Sequence, residues 1–96
     1  MKLMLEYSEA AQDDLQESYE WYEGKRKGLV EEFLQEAEQQ LELVKENPES
    51  FSVYHEIFRC CNIIRFPFKI IYSAEENVIK VWAIYHHKRD PKKWIR

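Results

Sequence analysis

The sequence is poor in the residues and motifs around which many enzymes and secreted domains are built. Its 96 residues include only two glycines and two cysteines, and no Gly-rich phosphate motif or GxSxG motif occurs. His86 and His87 have no third and fourth ligand near them in the sequence for a structural zinc. No apolar run approaches membrane-spanning length, and no signal peptide is evident. We therefore expect no metal, no cofactor and no membrane association.

The two cysteines are adjacent, at Cys60 and Cys61. In a regular strand their side chains would point to opposite faces, so they should not pair with each other. Alternation places Cys60 in the core and Cys61 on the outward face. Cysteines without a disulfide framework or metal-type spacing indicate a reducing compartment, and we expect the protein in the cytoplasm.

Charge is distributed unevenly along the chain, although the net charge is only −4. Residues 1–50 hold five Lys and Arg against fourteen Asp and Glu, a balance of −9, and residues 51–96 hold nine against four, a balance of +5. If each half covers one side of the fold, the molecule has an acidic back and a basic front that would steer an anionic partner. Two ordinary solvated faces are the alternative interpretation.

A single domain over residues 1–96 is expected, because this length supports one hydrophobic core. A short alternating strand comes first, and Ser8 then provides the N-cap of a helix that runs to about Gly24. A basic turn between Gly24 and Gly28 reverses the chain. A second amphipathic helix follows and ends before Pro48. Such a helical hairpin needs a sheet to complete its core.

The stretch from Ile57 to Tyr72 predicts two strands joined at Phe66-Pro67, and residues 53–58 either begin the first of them or lead into it. Its even positions are nearly all apolar. Its odd positions include three cations, namely Arg59, Arg65 and Lys69. A period of two therefore predicts one core face and one basic face. The basic face is the first place to look for function.

The last predicted strand, from Val78 to about His86, is apolar on both parities. One parity carries Ile79, Val81 and Ala83, and the other carries Val78, Trp82 and Ile84. If the first set meets the helices, the second leaves an apolar strip that a partner should cover. Trp21 of the first helix is a further candidate contact. The elements together predict an α+β domain with a strand, a helical hairpin and then further strands whose sheet completes the core of the hairpin.

Cations and possible proton carriers concentrate in the second half of the chain. They are Arg59, Arg65, Lys69, Tyr85, His86, His87, Lys88 and Arg89. Cleavage of RNA through its 2′-hydroxyl needs a base, an acid and stabilisation of the phosphorane charge, and His, Tyr and Arg can supply these functions. A basic binding surface without catalysis uses the same residues, so both interpretations stay open.

Several short motifs occur in an order that resembles the RelE/ParE superfamily of toxins from type II toxin–antitoxin modules, often called plasmid stabilisation proteins. The motifs are Glu20-Trp21-Tyr22, Asn47-Pro48-Glu49, Arg65-Phe66-Pro67-Phe68 before Ile71-Tyr72, and His86 followed by Arg89-Asp90-Pro91 and Trp94. The resemblance covers nearly the whole chain. It implies an α+β fold in the order β-α-α-β-β-β, with the helical hairpin packed on a small antiparallel sheet. It also implies a cognate antitoxin, an extended or helical segment of which wraps the toxin in a hetero-oligomer.

The superfamily divides by target, and Trp21-Tyr22 with the RDPxxW ending is closer to the ParE branch. That branch implies a non-enzymatic inhibitor of DNA gyrase. The alternatives are a RelE-like, ribosome-dependent mRNA endonuclease and a decayed toxin that only binds its antitoxin. The candidate catalytic residues of an endonuclease are Arg59, Arg65, Tyr85, His86, His87 and Arg89. The candidate target-binding residues are Arg59, Arg65, Lys69, Lys88 and Arg89, and the candidate antitoxin-binding residues are Trp21, Val78, Trp82 and Ile84.

Overall fold

The computed structural model describes residues 4–63 and 65–86. The elements follow in the order β1 (Met4–Tyr7), α1 (Glu9–Glu23), α2 (Leu29–Glu46), a short 3-10 helix (Pro48–Ser50), β2 (Ser52–His55), β3 (Phe58–Asn62), β4 (Phe68–Glu75) and β5 (Val78–His86). Neither α-helix is long and apolar enough to cross a membrane.

The strands form one five-stranded sheet in the order β1-β5-β4-β3-β2. Neighbouring strands from β2 to β5 pair antiparallel, whereas β1 pairs parallel with β5. The predicted α+β class and helical hairpin are confirmed. The sheet is mixed rather than wholly antiparallel, because β1 joins it beside the last strand, and the segment leading into β3 forms a strand of its own, β2.

Local sequence explains the limits of the helical hairpin. The Ser8 hydroxyl oxygen accepts a hydrogen bond from the Ala11 N–H at 3.0 Å, which caps the start of α1 as predicted. Gly24 lies at the C-cap of α1. Gly28 precedes α2 with a φ of 86°, a left-handed conformation that glycine adopts without steric cost. The two glycines thus bracket the reversal between the helices.

Four aromatic side chains fasten the hairpin to the sheet. Phe33 lies with its ring centroid 5.1 Å from that of Phe68, and Tyr22 lies 5.4 Å from Phe66, in T-shaped contacts. All four side chains are buried. Such edge-to-face pairs stabilise by about 0.5–1.5 kcal/mol beyond the burial of their area. The main core therefore lies between the helices and one face of the sheet.

We call the face of the sheet turned away from α1 and α2 the outer face. A second, smaller cluster of buried residues, the outer cluster, lies on it. Ile71, Ala83 and Tyr85 are buried there, and Phe58 and Cys60 pack against them. Apolar burial on both sides explains why β4 and β5 have no clean alternation of apolar and polar residues.

The cysteine assignment from the sequence is wrong. Cys61 is only 3% exposed and belongs to the core under the helices, whereas Cys60 is half-buried on the outer face. The register pairs Cys61 with Ile70, so odd positions of β3 share a face with even positions of β4. Even or odd numbering therefore does not indicate the same face in successive strands, because the turn between two strands determines how they pair.

Candidate partner and target surfaces

A β-bulge in β5 decides which of its residues face outward. Ile71 pairs with Ala83 and the next residue, Tyr72, pairs with Val81, so that Trp82 has no counterpart on β4. The extra residue reverses the alternation along the rest of the strand. Val81 consequently packs under the helices, whereas Ala83 belongs to the outer cluster.

This bulge overturns part of the predicted antitoxin strip. Ile84 is only 2% exposed and lies in the core under the helices, so it cannot form an outward strip with Val78 and Trp82. Ala83, expected under the helices, lies on the other side of the sheet. The reason is the reversed parity beyond Trp82, since simple alternation would have kept the six residues in two constant sets.

Trp82 is held firmly on the outer face. Its indole N–H donates a hydrogen bond to the Ser73 hydroxyl oxygen at 2.8 Å, and its ring meets Phe58 edge-on with the centroids 5.8 Å apart. The Lys80 ammonium lies 4.2 Å from the indole centroid, a cation–π contact. The half-buried indole therefore presents a fixed aromatic surface, and one cation already lies on it.

A groove of about 590 Å³, which we call the outer groove, lies beside this tryptophan on the outer face. It is lined by Glu6, Ser73, Glu75, Glu76, Val78, Lys80 and Trp82. Val78 is half-buried in it, and the three carboxylates belong to exposed residues. Two of the four predicted antitoxin contacts, Val78 and Trp82, thus lie together in one groove.

Strand β1 forms one edge of the sheet, and we call the side turned away from β5, which has no neighbouring strand among the described residues, the free side of β1. The N–H groups of Met4 and Ser8 donate at 2.8 and 2.9 Å to carbonyl oxygens on or next to β5. Because backbone groups alternate in direction along a strand, those of Leu5 and Tyr7 point away from β5. The Tyr7 carbonyl accepts a hydrogen bond from the Gln12 side chain at 3.3 Å. No strand among residues 4–63 and 65–86 pairs with this side of β1.

A second groove, of about 630 Å³, runs between β1 and α2, and we call it the β1–α2 groove. Its lining residues are Leu5, Tyr7, Gln35, Glu38, Gln39, Leu41 and Glu42. Burial and, to a lesser extent, the Glu38 carboxylate raise the pKa of the Tyr7 phenol. The sequence analysis missed this groove, because the alternation of Leu5 and Tyr7 marks one face of a strand but does not reveal its neighbours.

Among the described residues, Arg59, Arg65 and Lys69 do not form the predicted common basic face. Arg59 pairs in register with Tyr72, whose side chain lies under the helices, and its guanidinium donates to the Phe51 carbonyl at 2.6 Å. Lys69 pairs with Tyr85, which belongs to the outer cluster. The two cations therefore project from opposite faces of the sheet.

Arg65 lies in the turn between β3 and β4 with a φ of 75°. Its guanidinium nitrogens lie 3.1 Å from a Glu32 oxygen and 3.4 Å from a Glu36 oxygen of α2. Arg26 approaches Glu32 from the hairpin turn at 2.6 Å. The hydrogen bonds from Arg26 and then Arg65 lower the pKa of Glu32. Arg65 is thus exposed but paired, and it ties the sheet to the second helix.

The candidate catalytic residues do not converge within the part of the chain that the structure describes. Tyr85 is only 8% exposed, and burial followed by interaction with Tyr54 raises its pKa, so it is a poor proton donor or base near neutral pH. The His86 ring meets Phe68 edge-on with centroids 5.3 Å apart. The remaining catalytic candidates, His87 and Arg89, lie outside the described residues, as does the target-binding candidate Lys88.

Trp21 lies apart from the outer groove, on α1 next to the hairpin turn. It is 56% exposed, its ring meets Tyr22 with centroids 5.0 Å apart, and the Lys25 ammonium lies 4.6 Å from its centroid. Because α1 packs on the other side of the sheet, Trp21 cannot share one continuous site with Trp82. Any partner that contacts both must extend around the edge of the molecule.

Together these features define a small α+β domain whose surface offers a free sheet edge and two shallow grooves. No group of three or more His, Cys, Asp or Glu residues among 4–63 and 65–86 is placed to hold a metal ion. Grooves and a strand edge of this kind suit protein segments better than small substrates. The fold is a helical hairpin packed over a mixed sheet.

A family model described as the ParE toxin of the type II toxin–antitoxin system parDE matches residues 5–91. The chain therefore belongs to the ParE toxin family, and the predicted family resemblance is confirmed. A solved structure described as the chromosomal ParDE toxin–antitoxin system from P. aeruginosa is similar, with 17% sequence identity and a TM-score of 0.72 over 88% of this chain and 96% of that one. That likeness supports the fold. No curated protein sequence matches this chain.

Proposed function

We propose that this ParE family toxin arrests growth in the cytoplasm by inhibiting DNA gyrase, without catalysing a reaction, and that a cognate antitoxin neutralises it. The observation that carries the proposal is the family match over residues 5–91. Gyrase is the target that the ParE branch implies for this chain. The antitoxin follows from membership of a family defined by toxin–antitoxin pairs.

The arrangement of the candidate residues supports binding rather than catalysis. An mRNA endonuclease needs a proton donor, a proton acceptor and a cation within reach of one phosphate. Arg59 donates to a backbone carbonyl on the helix side, Arg65 is paired with carboxylates of α2, and Tyr85 is buried on the outer side. These three side chains therefore do not surround one point at which a phosphate could bind.

The antitoxin surface that we propose includes the outer groove and the free side of β1. Val78 and Trp82 supply apolar area in the outer groove, and a fixed indole loses little entropy when it is covered. Leu5 and Tyr7 direct backbone groups outward along β1, where an extended segment can add as a strand. One segment crossing the edge of the sheet reaches both sites.

The gyrase proposal is tested with the purified chain and purified gyrase. We expect loss of DNA supercoiling and accumulation of cleaved DNA, and expression in cells should induce DNA breaks and an SOS response with intact mRNA. Codon-phased mRNA ends during arrest would instead identify a ribosome-dependent endonuclease. Growth arrest with intact mRNA and intact DNA would contradict both activities, and absence of arrest would indicate a toxin that only binds its antitoxin.

A further inference from the structure

The β1–α2 groove combines an apolar floor with an acidic rim. Its floor is formed by Leu5 and Tyr7 of β1 and by Leu41, which is only 3% exposed. Its rim carries the Glu38 and Glu42 carboxylates, and the amides of Gln35 and Gln39 also line the groove. No lysine or arginine is among the lining residues within the described part of the chain.

The free side of β1 borders this groove directly. Leu5 and Tyr7 turn their side chains toward α2 while their backbone groups point outward. A strand added beside β1 would hydrogen-bond to those groups, taking the place of the exposed Gln12 side chain at the Tyr7 carbonyl. Every second side chain of that strand would enter the groove. The chemistry of the groove therefore constrains alternate residues of whatever segment adds to β1.

The spacing of the carboxylates matches the spacing of such side chains. Glu38 and Glu42 are four residues apart in α2, so they lie about 6 Å apart along the helix axis. Alternate residues of a strand are separated by about 6.7 Å. The lining residues of α2 cover two helical turns, from Gln35 to Glu42, so the helix runs along the groove. Two successive inward side chains of an added strand can each meet one carboxylate.

We propose that the β1–α2 groove receives lysine or arginine side chains from alternate positions of an extended protein segment that adds to β1. The methylene stems of these residues lie on Leu5, Tyr7 and Leu41, and their cationic heads reach Glu38 and Glu42. The segment belongs to the antitoxin, so the inference rests on the proposed function. It adds the charge and spacing by which the toxin selects its partner.

Other side chains fit this groove less well. Acidic side chains would meet carboxylates of like charge, and purely apolar side chains would desolvate Glu38 and Glu42 without replacing their water. Glu42 has one cation of its own, since the Lys45 ammonium lies 3.2 Å from it. Exposed pairs of this kind between neighbouring turns are weak, so an incoming cation can share the Glu42 carboxylate.

Two synthetic peptides of about ten residues test the proposal, one alternating Thr with Lys and the other alternating Thr with Glu. The ¹⁵N-labelled toxin is titrated with each peptide up to about 2 mM, a concentration that reveals even millimolar affinity. We expect the Lys peptide to shift and protect the Leu5 and Tyr7 amides and to bind at least about 10-fold more tightly than the Glu peptide. A Lys peptide methylated at alternate backbone nitrogens should not protect these amides.

Substitutions in α2 separate the groove from general acidity. Glu38→Gln with Glu42→Gln should weaken binding of the Lys peptide about 5-fold or more, because two ion pairs are lost. The matched control is Glu31→Gln with Glu46→Gln, which removes two exposed carboxylates of the same helix that do not line the groove. The control should change the affinity by less than about twofold.

Four results would overturn the inference: equal affinity for the Lys and Glu peptides, no shift with either, shifts that omit Leu5 and Tyr7, or equal weakening by the two double substitutions. Growth arrest is scored separately with toxin expressed alone. If the unaltered toxin causes no arrest, the proposed function fails whatever the peptides do.

Discussion

We expect Arg59→Ala and Arg65→Ala to differ in their effect on stability, although each removes one arginine from the same predicted strand region. Alternation alone would assign both side chains to solvent and give both substitutions small effects. In the structure Arg59 is half-buried and donates to the Phe51 carbonyl at 2.6 Å. Arg65 is itself exposed, and its guanidinium forms ion pairs with the partly buried Glu32 and Glu36 of α2.

The hydrogen bond of Arg59 determines the expected magnitude. A hydrogen bond from a charged donor contributes about 1.5–3 kcal/mol, and the lower end is appropriate for a half-buried side chain. A loss of about 1.5 kcal/mol lowers the Tm of a domain of this size by about 6–12 °C. Surface ion pairs contribute little, so Arg65→Ala should lower the Tm by about 3 °C or less.

Thermal unfolding of the two purified variants, followed by circular dichroism, measures this difference. Arg59→Lys provides the matched control, since it keeps the charge but shortens the reach and should recover only part of the loss. Equal Tm values for Arg59→Ala and the unaltered protein would refute the structural role of this hydrogen bond. Growth arrest by each variant is then interpretable, because lost toxicity at unchanged Tm implicates the side chain in target binding, whereas lost toxicity at lowered Tm does not.

Three further predictions concern buried or packed side chains. Tyr72→Phe should cost about 1–2 kcal/mol in urea unfolding, because it leaves the Pro48 carbonyl without the phenol that donates to it at 2.7 Å, and an unchanged midpoint would contradict this. Burial raises the pKa of the Cys61 thiol from 9.0 to about 12, so the folded state binds the thiol proton more tightly than the unfolded state does. The free energy of unfolding is therefore unaffected by this group below about pH 9 and falls as the pH rises above that value. Cys61→Ala should flatten that fall, and an identical pH profile would show that other groups cause it. Trp82→Ala should weaken antitoxin binding about 30-fold or more without unfolding the domain, although the ring contact with Phe58 is lost. Unchanged affinity, measured by calorimetry, would show that Trp82 is not part of the interface.

Local signals in the sequence predicted the elements well. Ser8 caps α1, the glycines at 24 and 28 bracket the hairpin turn, and Pro48 begins the segment after α2, each through backbone chemistry confined to a few residues. The even positions of β4 face the helices as alternation predicted. These inferences succeeded because they depend on neighbours in the chain.

The face of the sheet on which a side chain lies was predicted poorly wherever it depended on strand register. The bulge at Trp82 moved Ile84 into the core, and no feature of the apolar run from 78 to 84 marks the position of the extra residue. Because of the turn before β4, Arg59 and Lys69 lie on opposite faces of the sheet although both have odd numbers. Long-range pairs such as Arg65 with Glu32, 33 positions apart, are likewise invisible to periodicity. For the candidate site, residue types were therefore predictable but their grouping was not.

The pairing of β1 with β5 has a consequence for the order in which the toxin can fold. The first strand of the domain finds its only neighbouring strand among the described residues at 78–81, and the Ser8 hydroxyl donates to the Trp82 carbonyl across 74 positions. Contacts this distant close late, because the whole intervening chain must first be ordered or looped out. A ribosome that has made the helical hairpin and the four strands β1 to β4 has therefore not yet made a complete sheet. A nascent chain therefore cannot complete this five-stranded sheet until β5 has emerged from the ribosome.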